Sequence, residues 1–204
     1  MKLTPIQKDA MQELANIGAA HAATTLSQML NSQVDMSVPV VNVVDISRVS
    51  DCLGDEFAAM VVFELQGEIS HGGYVVFHVS KESALRMTNT MLGMTDMDRE
   101  LNEMDQSALL EVGNIMVSAF LDATAELLGI VMLPSPPALS MDMAHAAFES
   151  LIAQLTIEVN EVLLFKTELT CEEHKVAGNL IMLPEAQTLE EIISLLEGLM
   201  APPA

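Results

Sequence analysis

The sequence predicts an α+β fold made by internal duplication, with a central β-sheet covered by long helices and a pseudo-twofold axis relating the two halves. Three observations predict it. A long stretch of helical periodicity opens each half, and β-rich segments separated by turn residues follow it. Each half then closes on a shorter helix with a glycine at its end. Finally, particular residues recur at fixed offsets. Glu13, Asn16 and Pro39 return 98 positions later as Glu111, Asn114 and Pro137, while Gly73 and Gly93 return 105 later as Gly178 and Gly198. The period is too long for a solenoid, so the chain reads as one domain, 1–204, made of two repeats at about 4–100 and 101–200.

The first helix starts at a clear signal. Thr4 is placed as N-cap, Pro5 at the first helical position and Gln7 for a capping box. Ile6, Ala10, Leu14, Ile17 and His21 follow at helical spacing toward Met29, and are expected to form the buried stripe. Strands are expected in "VDMSVPVVNVV", "AAMVVFELQ" and "GGYVVFHV", with "GEISHGG" as the turn joining the last two. "KESALRMTNTMLG" closes the half as a helix stopped by Gly93.

The order then restarts. A helix over "NEMDQSALLEVGNIMVSAFLDATAELLG" leads through "SPPALSMD" to strands in "LTIEVNEVLLFKTEL" and "VAGNLIML". The last helix, "EAQTLEEIISLLEG", is expected to stop at Gly198. The change of offset from 98 to 105 calls for an insertion, placed at the helical "MAHAAFESLIAQ" after the prolines.

Half of the residues are hydrophobic, which allows a large core, filled mainly by aliphatics and 16 Met because only six Phe, one Tyr and no Trp are present. The 29 acidic against 8 basic residues give a net charge of −21. Such a surface repels phosphate backbones and anionic lipids, so nucleic acid and membranes are excluded as partners; it equally suits a salty cytoplasm. No signal peptide is visible, and Glu, Asp or Gly cuts the apolar runs, so the cytoplasm is the expected location. Cys52 and Cys171 read as free buried thiols, and the five His lack zinc-motif spacing, so no metal or other cofactor of its own is expected.

The residues that carry chemistry are the repeated ones. Positions three apart in a helix lie about 60° apart around the axis, so Glu13 and Asn16 share a face, with Asp9 and Ala20 on it. Ser107, Glu111, Asn114 and Ser118 repeat the construction, with Met104, Ala108, Val112 and Ile115 expected beneath. A single Glu-x-x-Asn is an ordinary solvated helix face. Here divergence between the halves has spared the same outward positions twice, and packing gives no reason to keep them. An amide beside a carboxylate is a poor nucleophile but orients water well, donating and accepting at once. Phosphoryl transfer needs little beyond such positioning. The carboxylate suits a lysine on an incoming protein, which would bring the phosphate and metal with it.

The full pattern is Asp/Ser-x3-Glu-x2-Asn-x22-Pro, met by Asp9, Glu13, Asn16 and Pro39 and again by Ser107, Glu111, Asn114 and Pro137. It resembles the CheC family of chemotaxis phosphatases, relatives of CheX and FliY, over nearly the whole chain. The resemblance implies a hydrolase for the aspartyl phosphate of the response regulator CheY. Asn16 and Asn114 would orient the attacking water, Glu13 and Glu111 would align the regulator through its lysine, and Asp9 and Ser107 would support the site. Mg²⁺ would come with phosphorylated CheY, and the receptor deamidase CheD would be a second partner, with "MDMAHAAFESL" as the expected contact. Two intact Glu/Asn pairs separate the chain from one-site CheX-like proteins, and no length remains for the further domain of a FliY-like one. A free monomer is expected. The alternative from another class is a non-catalytic adaptor that sequesters phosphorylated CheY or regulates CheD, with the pairs kept for docking.

Overall fold

The computed structural model describes residues 3–45, 48–49, 51, 53–69, 72–153 and 161–200. The first half holds α1 (Pro5–Leu30), β1 (Asp35–Met36), β2 (Val40–Asp45), β3 (Phe57–Gly67), β4 (Gly73–Ser80) and α2 (Lys81–Leu92). The second holds α3 (Glu103–Leu128), β5 (Met132–Pro134), β6 (Ala138–Met143), α4 (Ala144–Ile152), β7 (Glu161–Cys171), β8 (Val176–Pro184) and α5 (Ala186–Met200). Without α4, the two lists are the same sequence of elements.

The duplication extends to the helix caps. Thr4 and Asn102, 98 apart, each cap a 26-residue helix and close a capping box, with Gln7 and Asp105 at the third position. Each box satisfies backbone N–H groups that have no partner within the helix.

The strands form an antiparallel sheet ordered β1-β7-β8-β4-β3-β5, with β2 also on β7 and β6 also on β3. Exchanging the halves maps this order onto itself. The hairpin β3–β4 becomes β7–β8, and the pairing of β2 with β7 becomes that of β6 with β3. The central β4–β8 pair, in register at Val76↔Ile181, straddles the pseudo-twofold.

Side chains alternate across the sheet with period two. One face sends Ala59, Val61, Phe63, Val75, Phe77, Leu163, Phe165, Leu180 and Met182 into the larger core, beneath α1, α2, α3 and α5. The other sends Met60, Val76, Leu164, Ile181 and Leu183 into a smaller core closed by Phe148, Leu151 and Ile152 of α4. The inserted helix therefore serves as the cover of the second face.

Three expectations need correction. The strand expected over 34–44 is divided, because Pro39, which lacks the ladder N–H, separates β1 from β2. Gly93 does end α2, in the left-handed conformation that glycine takes at least cost, but Gly198 lies inside α5, which continues to Met200. The helix stripes are also shifted by one position. Met11, Leu14, Ala15, Gly18, Ala22 and Leu26 are the buried row of α1, and Leu109, Val112, Met116 and Val117 that of α3. Ile6, His21, Met104 and Ile115 face outward instead. Cys171 is a buried free thiol, whereas Cys52, His71 and the expected strand start at 155–160 lie outside the described residues.

Candidate functional site

The two Glu-x-x-Asn pairs sit in the N-terminal halves of α1 and α3, on a rigid base. Glu13 and Glu111 are exposed, and Asn16 and Asn114 half-buried. None of these four side chains hydrogen-bonds or ion-pairs with another described residue. Each pair is therefore open to a partner from outside. Asp9 is exposed as well, while the Ser107 hydroxyl is turned back on its own helix and donates to the Glu103 carbonyl at 2.9 Å. The repeated proline also has a structural role in the first half: Pro39 is buried, and its carbonyl accepts from Gln12 Nε2 at 3.2 Å, tying the edge strand to α1. Position 110 is leucine, so the second half lacks this tie.

Two glycines seat the helices that carry the pairs. A Cβ at Gly18 would stand 2.6 Å from the Phe120 ring, so α1 and α3 pack against each other closely at this point. A Cβ at Gly113 would stand 2.8 Å from Val61 Cγ1, so α3 lies directly on β3 just before Asn114. The sequence did carry a signal for both, since a glycine lies within two residues of each asparagine.

α3 has a second anchor that pattern reading missed. Arg99, in the 93–102 connection, makes a two-pronged ion pair with Asp105, each arm at 2.6 Å, and also donates to Asn89 Oδ1 of α2. Asp105 is wholly buried, and the Arg99 hydrogen bonds, with the Asn102 backbone N–H, hold its carboxyl at about 2 despite the burial. The first turn of α3 is thus fixed to α2. α1 has only Gln7 at the corresponding position.

Among the described residues, no three of His, Cys, Asp and Glu gather as a metal site. His174 Nε2 lies 2.8 Å from Ser32 Oγ and 3.0 Å from the Leu30 carbonyl, and His145 lies beside Glu149 within α4. His78 is buried on the α4 side of the sheet. Asn179 Nδ2 lies 3.3 Å from its Nδ1, and Nε2 has no partner among the described residues. Burial first, and Lys166 second, push its pKa down to about 4. α4 has committed Phe148, Leu151 and Ile152 to the core, so a partner at this insertion would meet only its polar side. α3 is long and apolar enough to cross a bilayer, contrary to the expectation from its interrupted sequence, yet its apolar residues pack on α1 and the sheet.

Residues 6–43 and 104–141, the two helix-to-strand segments built around these pairs, each match the model of the CheC-like family. The CheY-P phosphatase CheC of Bacillus subtilis (strain 168) is 29% identical over 193 residues, which is 91% of either chain. Among solved structures, Thermotoga maritima FliY superposes with a TM-score of 0.74 at 23% identity, over 97% of this chain and 99% of that one. The chain of a CheX-CheY-BeF3-Mg+2 complex from Borrelia burgdorferi gives 0.56 at 18%, over 83% and 97%. At such identities the structural likeness establishes the fold alone.

Proposed function

Because this chain belongs to the CheC-like family, we propose that it is a phosphatase of the phosphorylated response regulator CheY, with one site on α1 and one on α3. The observation that carries the reading is the occurrence, twice, of a carboxylate and an amide three residues apart on a buttressed helix with no partner among the described residues. The similarity to a CheY-P phosphatase over 91% of both chains supports the substrate.

In this reading the regulator supplies the aspartyl phosphate, Mg²⁺ and a lysine. Glu13 or Glu111 accepts from that lysine and sets the helix across the regulator's pocket. Asn16 or Asn114 holds a water in line with the phosphorus, its carbonyl oxygen accepting from the water. The water oxygen forms the new P–O bond, the bond to the aspartyl oxygen breaks, and inorganic phosphate and a free carboxylate leave. Neither side chain becomes covalently attached. A hundredfold acceleration requires about 2.7 kcal/mol, which two hydrogen bonds that improve toward the transition state supply. Asp9 and Ser107 stand one turn before each Glu, and their proposed role is support of the site. The reading places the chain in the cytoplasm as a monomer, with CheD as a further partner.

The test is the decay of phosphorylated CheY with Mg²⁺ present and the chain at catalytic amounts. Acceleration that disappears in the Asn16→Ala/Asn114→Ala double variant is expected. Equal acceleration by wild type and double variant sinks the water-positioning mechanism, and none by wild type, even with CheD, makes the pairs a docking surface of an adaptor.

A further inference from the structure

The correspondence between the halves extends from α2 to α5 at an offset of 105. The Ala177 N–H donates to Ser83 Oγ at 3.0 Å, and in the other half Thr188 Oγ1 donates to the Gly72 carbonyl at 2.8 Å, so the same two positions touch in each. α1 and α3 keep the offset of 98 at their caps. The space between α2 and the start of α3 therefore has a counterpart between α5 and the start of α1.

In the second half that space is filled from within. α2 ends at Gly93 in the left-handed conformation, and the chain doubles back toward α3. Asn89 Nδ2 donates to the Asp96 carbonyl at 2.9 Å, and Arg99 reaches both Asn89 and Asp105, which are buried. In the first half no described residue takes that place, because α5 runs through Gly198 to Met200 without turning. A shallow groove lined by Gln7, Ala10, Ile193, Leu196, Glu197 and Met200 is left between α5 and α1. Gln7 is half-buried where Asp105 is wholly buried, and Ser194 is exposed where Asn89 is buried. Ile6, one turn before Ala10, is 66% exposed, and Met200 48%.

The polar wall of the groove is acidic. Glu197 Oε1 accepts from Gln7 Nε2 at 2.9 Å, while Oε2 has no partner among the described residues. α5 carries three glutamates and no basic residue, and its carbonyl end adds partial negative charge beside Glu197. The neighbouring cation of α1, Lys8, lies about 160° around the helix from Ala10, on the far side from the groove.

We infer that the groove between α5 and α1 is a docking site for an extended segment of another protein, one that presents an arginine between apolar side chains. The molecule itself shows the chemistry of the occupant, since Arg99 stands between Met97 and Leu101 in the segment that fills the equivalent space. The incoming arginine pairs with Glu197 as Arg99 pairs with Asp105, and its apolar neighbours cover Ile6, Ala10, Ile193 and Met200. A chain of net charge −21 also favours a basic partner over an acidic one. None of this depends on the phosphatase reading.

The probe is a synthetic peptide of residues 93–102 with blocked ends, in which Asp96→Asn, Asp98→Asn and Glu100→Gln leave Arg99 as the one charge. Titrated into the full chain at low salt and followed by fluorescence anisotropy, it should saturate below about 1 mM. Kd is expected to rise about tenfold or more in Glu197→Lys and about threefold in Glu197→Gln, which keeps the bond from Gln7. Arg99→Ala within the peptide should weaken it about tenfold as well. Hydrogen exchange locates the complex: protection should rise over 6–10 and 193–200 but not over 88–92 and 103–108, where Arg99 is already seated. Equal affinity for wild type and Glu197→Lys, protection elsewhere, or no binding up to about 1 mM overturns the inference. By the offset of 98, Met1 and Lys2 match Arg99 and Glu100 in sequence, so a chain beginning at Leu3 is titrated too. Binding seen only in that shortened chain also overturns the inference, by making the protein's own first residues the occupant.

Discussion

At the scale of residues, the proposed division of labour between glutamate and asparagine follows from their groups. A fixed charge on an exposed helix face acts on encounter and affinity, while a half-buried amide can orient one water. Glu13→Lys and Glu111→Lys are therefore expected to raise KM for phosphorylated CheY about tenfold per site, because in the proposed mechanism each would set a cation against the regulator's lysine. Asn16→Ala and Asn114→Ala should lower kcat with KM nearly unchanged. Steady-state decay assays on single-site variants separate the two. The Glu and Asn positions were legible in the sequence because repetition exposed them. Their exposed apolar neighbours were not. Ile6, Met104 and Ile115 fit a 3-4 apolar spacing, and that periodicity cannot distinguish a core row from an adjacent outward one when small residues such as Ala15, Gly18 and Ala22 form the true contact.

At the scale of elements, helix boundaries and strands were largely readable from caps, glycines and alternation. What escaped was whatever depends on residues distant in sequence. Nothing local shows that Arg99 closes on Asp105, or that Gly113 must be small because Val61 lies beneath it. Both give predictions. Arg99→Ala leaves a wholly buried carboxylate unpaired and should cost about 3–5 kcal/mol in urea unfolding. Gly113→Ala gains about 1 kcal/mol of helix propensity. It loses about 1–3 kcal/mol by overpacking, because the branched Val61 in a central strand cannot withdraw. The net expectation is slight destabilisation together with reduced α3-site activity in an Asn16→Ala background. If the variant is more stable and fully active, the seating of α3 on β3 is looser than described.

For the molecule as a whole, the buried groups set the response to acid. His78 is held neutral in the fold to about pH 4, against 6.5 for an ordinary histidine, so the unfolded chain takes up its proton first. Stability should fall as pH drops from about 6.5 to about 4, by about 3 kcal/mol, and then this contribution levels off. Below that, Asp105 adds a further loss of about 2 kcal/mol between about 3.8 and 2, where the unfolded carboxyl protonates ahead of the paired one. Urea unfolding at pH 7, 5 and 4 should show the first decline, and His78→Gln should flatten it. An unchanged slope in that variant would mean that His78 is hydrated in the folded protein.

The exchange of edge strands has one more consequence. β1 and β2 leave the first half to complete the second half's hairpin, and β5 and β6 repay it on β3. Cut between residues 100 and 101, the chain would become two fragments, each with an open hairpin and two strands that have nowhere to pair. Neither should fold alone, whereas mixing them should restore cooperative unfolding and both candidate-site helices, as in complementation of a protein from separate pieces. The same interlocking means that the site helices rest on a floor each half builds for the other. A lesion in one half would then be inherited by the site of its twin.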